Sequence, residues 1–167
     1  MSSPPPSPSL LTRLSAWLFP KSETLALGSA LPELAIPDQS GALVTLPASG
    51  WTFLYFYPRA DTPGCTKQAC SLRDAYESLL NEGVKVFGAS LDHGASLRKF
   101  RGKYQLPFPL LADTEGQLAD ACRVPRSFGF TRRQAFLFKD GILVWRDLEA
   151  STDQQAADAL AAIRKIP

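Results

Sequence analysis

Dense apolar runs alternate along this chain with runs at helical spacing, and their order predicts its elements. Residues 51–57 are aromatic and β-branched, bounded by Gly50 and Pro58, which predicts a buried strand. Beyond it, Ala69, Leu72, Tyr76, Leu79 and Leu80 mark one helical face that Gly83 closes. Val84–Ser90 reads as the next strand, residues 96–104 as a second helix, 107–112 as a short third strand and 115–122 as a third helix. Residues 136–138 and 142–145 flank Lys139, Asp140 and Gly141, and Asp-Gly between apolar runs is a hairpin signal. Ser151 and Gln154 predict a capping box for a last helix along Ala156, Leu160 and Ile163. Nearer the start, turn residues at 38–41 separate two short apolar stretches and predict a small hairpin.

Strand, helix, strand, helix, then a hairpin and a closing helix describe an α/β chain. The expected architecture is a thioredoxin-like layered fold, a central mixed β-sheet flanked by helices with an N-terminal β-hairpin. No internal repeat or second domain is visible, so residues 25–167 are expected to form one domain. Residues 1–24 form an extension of different character. Its first nine residues are nearly all Ser and Pro and read as disordered. Leu10, Leu11, Leu14, Trp17 and Leu18 then recur at helical spacing, broken by Arg13 and ended by Pro20. That run is too short for a bilayer and lacks the marks of a secretory signal. A short helix packed on its own domain, an interfacial or partner-binding helix, and a targeting peptide all fit it.

Composition narrows the classes. With 45% hydrophobic and 20% charged residues in 167, the chain is an ordinary globular one. Its 18 Lys and Arg are interspersed with 16 acids, leaving +2 and no case for nucleic acid. Three cysteines are too few for a secreted disulfide scaffold, and a reducing compartment such as the cytoplasm fits better. A structural zinc site would want four ligands at closer paired spacing, so no metal is expected. His93, the lone histidine, reads as a loop residue, and Cys122, near Leu118 and Ala119, as a small core hydrophobe.

Candidate chemistry centres on Cys65 and Cys70, which follow the first buried strand at the opening of a helix. Free N–H groups and the positive end of the helix dipole favour a thiolate there, and a second thiol lies five residues on. A thioredoxin-type reductase would carry C-x-x-C, whereas this chain has four residues between its thiols. In an intact helix their Cα atoms would be about 8.6 Å apart, beyond the roughly 7 Å limit for a disulfide. The bridge therefore needs the helix start to unwind.

Pro58, Thr62 and Cys65 match the P-x-x-x-T-x-x-C signature of peroxiredoxins, and YFYPRADTPGCTKQACSLRD resembles their Q-type branch, the bacterioferritin comigratory proteins. Further similarity lies at SLD, LPFPLLAD and RQAFLFKDG, so the resemblance covers roughly residues 25–166 in order. One departure is Ala135, where the family often has Ser or Thr. The resemblance implies a thiol peroxidase acting on hydrogen peroxide and organic hydroperoxides, without a cofactor. Cys65 would become a sulfenic acid, condense with Cys70 and be recycled by thioredoxin or a similar dithiol; some relatives resolve through a different cysteine or an external thiol. Thr62 would hydrogen-bond sulfur and peroxide, and Pro58 would shield the thiol. Arg133 would stabilise developing negative charge, with Arg132 the adjacent alternative pointing to the other face. Relatives of this branch are often monomers. Phe56, Tyr57, Phe128 and Phe130 are candidates either for an apolar approach or for core. An oxidation-gated sensor or binding module using the same thiol pair is the competing class.

Overall fold

The structure, a computed structural model, describes residues 23–167. The apolar segment along Leu10 to Leu18 lies outside the described residues. In chain order, β1 (Ala35–Pro37) and β2 (Leu43–Thr45) lead to β3 (Trp51–Phe56), then α1 (Pro63–Asp74), α2 (Tyr76–Asn81), β4 (Val84–Ser90) and α3 (Gly94–Lys103). There follow β5 (Leu110–Ala112), α4 (Gln117–Ala121), β6 (Arg126–Ser127), β7 (Phe130–Thr131), β8 (Gln134–Lys139), β9 (Ile142–Asp147) and α5 (Gln155–Lys165).

Five strands form one mixed sheet in the order β5-β4-β3-β8-β9. The β3, β4 and β5 strands run parallel, and β8 and β9 add antiparallel on the other side of β3. Both faces of β3 are covered, which explains its unbroken apolar run. Phe53, Tyr55 and Tyr57 enter one core with α1, α2, α3 and α5; Leu54 and Phe56 enter a second with Ile36, Leu118, Cys122 and Phe136. Fully burying a side chain of this size contributes about 1.5–3 kcal/mol, so the strand carrying the site is anchored from two sides. Gly88 on β4 pairs with Tyr55. A Cβ there would come within 2.9 Å of the Tyr55 ring and hydroxyl and of the Leu110 side chain.

The two predicted hairpins form. β1 pairs with β2 across a turn in which Asp38 Oδ1 accepts the N–H groups of Ser40 and Ala42. β8 and β9 turn through Asp140 and Gly141 at φ of +48° and +77°, the left-handed pair a two-residue hairpin needs.

Two expectations need correction, and one element was not foreseen. The helix expected to run through Leu80 is two helices, broken at Ala75, and Leu80 is 50% exposed. Leu79, which the same expected face included, is fully buried. Ser151 Oγ accepts the Gln154 N–H at 2.9 Å, yet α5 begins only at Gln155 and Gln154 occupies its N-cap, so the capping box does not close. The small β6–β7 hairpin has no counterpart in the predicted elements.

Candidate active site

β3 delivers the chain to the site, and the turn after it is held from several directions. The Tyr57 N–H donates to Ala89 O at 3.2 Å, and Thr131 Oγ1 donates to Tyr57 O at 3.0 Å. In the loop that follows, the Ala60 N–H donates to Asp92 Oδ2 at 2.8 Å, a carboxylate oxygen that also takes the Ser90 hydroxyl at 2.7 Å. Asp61 adopts a left-handed φ of +58°. Its carboxylate accepts from Lys103 Nζ at 3.0 Å and Tyr104 Oη at 2.9 Å. Those hydrogen bonds, Lys103 first, hold the Asp61 carboxyl below its ordinary value. Two carboxylates thus clip the loop between strand and helix.

α1 opens with Thr62 in the N-cap position, Pro63 at its start and Cys65 as its third residue. Pro is favoured at a first helical position because its missing N–H would be unpaired there anyway. The N–H groups of Gly64 and Cys65 lie in the first turn, where no helical carbonyl is available. Cys65 is 1% exposed within the core that includes Tyr55 and Tyr57. Among the described residues the Tyr55 hydroxyl has no hydrogen-bond partner, and burial pushes both phenols up. The Thr62 hydroxyl does not cap the helix: it donates to Arg59 O at 2.8 Å, which leaves its lone pairs as acceptors.

Arg133, just before β8, brings Nη2 to 3.5 Å from Cys65 Sγ. Its Nη1 donates to Gln68 Oε1, and Gln68 Nε2 donates to Gln155 Oε1 at 2.9 Å. Arg132 is exposed, whereas Arg133 is half-buried beside the sulfur. Of the sequence candidates, Thr62 and Cys65 stand at the first turn of α1 and Arg133 reaches the Cys65 sulfur, while Pro58 is half-buried in the loop ahead of the helix. Cys70 is half-buried on the same helix, and all three cysteines are free thiols. Cys122 belongs to the opposite core, where burial and then the Asp113 charge push its thiol up to about 12. Phe56 and Tyr57 are core, while Phe128 is 94% and Phe130 40% exposed on the β6–β7 hairpin. Arg59 packs its guanidinium 5.8 Å from the Phe130 ring centre, joining that hairpin to the loop.

Asp92, Gln68 and Gln155 are the site residues the sequence reading missed. Gln68 stands three residues after Cys65 on one helix, a spacing that places both on one face and could have marked it. Among the described residues no group of three or more His, Cys, Asp or Glu side chains is placed to hold a metal, and no helix is long and apolar enough to cross a membrane.

The AhpC/TSA family profile matches residues 27–146. The chain is 40% identical over 121 residues to peroxiredoxin Q, chloroplastic, of Arabidopsis thaliana, covering 70% of this chain and 56% of that protein. It is 34% identical over 134 residues to a putative peroxiredoxin bcp of Coxiella burnetii, covering 73% and 89%. The crystal structure of the peroxidoxin BcpB from Mycobacterium tuberculosis superposes with a TM-score of 0.80 at 32% identity, covering 86% of this chain and 99% of that one. The chain spans little more than half the length of the plant relatives it matches. The layered mixed sheet described above is thioredoxin-like.

Proposed function

This chain belongs to the AhpC/TSA family, in its Q-type peroxiredoxin branch, and from that premise we propose that it is a thiol-dependent peroxidase. Its substrates would be hydrogen peroxide and organic hydroperoxides. The observation that carries this reading is the Arg133 guanidinium 3.5 Å from a buried thiol in the first turn of a helix.

The thiolate form of Cys65 is the nucleophile. It attacks one peroxide oxygen; an S–O bond forms, the O–O bond breaks, and the other oxygen leaves with the electron pair and takes up a proton as water or alcohol. Cys65 is then a sulfenic acid. Arg133 and the free N–H groups of the first helical turn are donors for the charge that develops on the leaving oxygen. Thr62, its own proton committed to Arg59 O, accepts from the hydroperoxide O–H and orients it. Pro58 limits water at the thiol.

The sulfenic acid condenses with the Cys70 thiol, forming S–S and releasing water. With both residues inside α1, their Cα atoms stand about 8.6 Å apart, so the start of the helix unwinds first. A dithiol such as thioredoxin returns two electrons and restores the pair. The catalytic domain is residues 25–167, acting as a monomer in a reducing compartment.

The test is turnover of hydrogen peroxide and of bulkier hydroperoxides with thioredoxin as electron source. Sustained consumption that Cys65→Ser abolishes supports the peroxidase. One stoichiometric oxidation per chain without turnover refutes it in favour of a redox sensor.

A further inference from the structure

We propose that Gln155, the first residue of α5, is a positioning residue that acts on Arg133 through Gln68; the inference rests on Cys65 being the thiol that peroxide oxidises. The three side chains form a hydrogen-bond chain of fixed polarity. A guanidinium only donates, and Arg133 spends Nη1 on Gln68 Oε1 while Nη2 faces the sulfur. The other end of the Gln68 amide must then find an acceptor, which is Gln155 Oε1 at 2.9 Å. Turned round, the amide would set its NH2 against the guanidinium, donor against donor. The guanidinium thereby fixes which end of Gln68 it meets, and Gln155 supplies the acceptor that holds the other end in place.

Gln68 is fully buried and Gln155 1% exposed, so water does not substitute for either partner. Among the described residues only the oxygen of Gln155 is used, its Nε2 having no partner there. The chain just before it is fastened to both sides of the site. The Ala150 N–H donates to Arg133 O at 3.2 Å, Ser71 Oγ donates to Asp153 O at 3.1 Å, and Lys67 Nζ lies 3.3 Å from the Asp153 carboxylate. Gln155 thus reaches the site from beyond the matched residues 27–146. The plainer role for it is an amide that merely fixes α5 to α1, and the two roles differ in what they do to the sulfur.

The test uses the full chain and reads the second-order rate of Cys65 oxidation by hydrogen peroxide in a single turnover, apart from disulfide formation and re-reduction. Gln155→Met, which removes the acceptor at similar length, is expected to slow that step about tenfold through a misdirected guanidinium. Gln155→Glu keeps an acceptor oxygen and is expected to stay near the wild-type rate. In a Gln68→Met background, Gln155→Met should add nothing, because the pathway is already cut. A wild-type rate in Gln155→Met, or effects of the two changes that multiply, overturns the proposal. Should Gln155→Met not fold, exchange of the Gln68 side-chain amide protons is read in the wild type. Slow exchange in the reduced protein supports the bond to Gln155, and fast exchange overturns it. If wild-type Cys65 fails to react with peroxide, the peroxidase reading falls as well; if it reacts and the variants match it, this inference alone falls.

Discussion

Arg133 touches the sulfur with one nitrogen and the interior of α1 with the other, so its planar fork matters as much as its charge. Arg133→Gln removes the cation and is expected to slow Cys65 oxidation about a hundredfold, the scale set by losing one well-aimed donor. Arg133→Lys keeps the charge but reaches one partner at a time, and its single-turnover rate should fall between the two. Asp61 gives a pH-dependent counterpart. Lys103 and Tyr104 lower its carboxyl below the ordinary 3.8. A depressed folded-state value means its contribution is present above 3.8 and lost as pH falls through that lower value. Removing the cation with Lys103→Met should therefore lower stability slightly at neutral pH, with the difference from wild type closing as pH falls below 3.8, as followed by urea midpoints across pH. The pair is largely exposed, so the effect is small and shrinks with salt.

At the scale of elements, α1 carries the prediction that separates the reduced and oxidised states. Amide exchange should show protection through the first turns of α1 in the reduced protein and its loss after stoichiometric peroxide, while β3 and β4 keep theirs. Equal protection in both states would remove the Cys65–Cys70 bridge from the mechanism. Gly88 tests the platform beneath. Gly88→Ala drives a methyl into Tyr55 and Leu110 and should lower stability by about 1–3 kcal/mol, measured by denaturant unfolding. Much of this level was legible in the chain: an apolar run closed by Pro58 marked β3, and Asp-Gly marked the β8–β9 turn because only left-handed residues close it. The break at Ala75 was not, since neither Gly nor Pro stands there. Nor was the β6–β7 hairpin, whose two-residue strands are too short to show a period. The thiol could be placed from local pattern, and Arg133 only by resemblance. Its partner Gln68 lies 65 residues away, and Gln68 in turn meets Gln155 across 87. Contacts between such distant polar residues leave no periodic trace.

Across the whole molecule, the sheet separates two populations of sulfur. Cys65 shares its layer with α1, α3 and α5, while Cys122 sits with Leu118, Ala119 and Phe136 behind β3 and β8. Cys122 is fully buried, with its thiol pushed up to about 12, and stays protonated and silent at neutral pH while the native layers hold. The insulated thiol is thus a built-in gauge. After full oxidation, one maleimide per chain should be taken up in denaturant and almost none without it. The speed at which Cys122 becomes labelled, with no reporter added, then clocks how often the entire sandwich comes apart, whatever the reactive pair is doing on the far side.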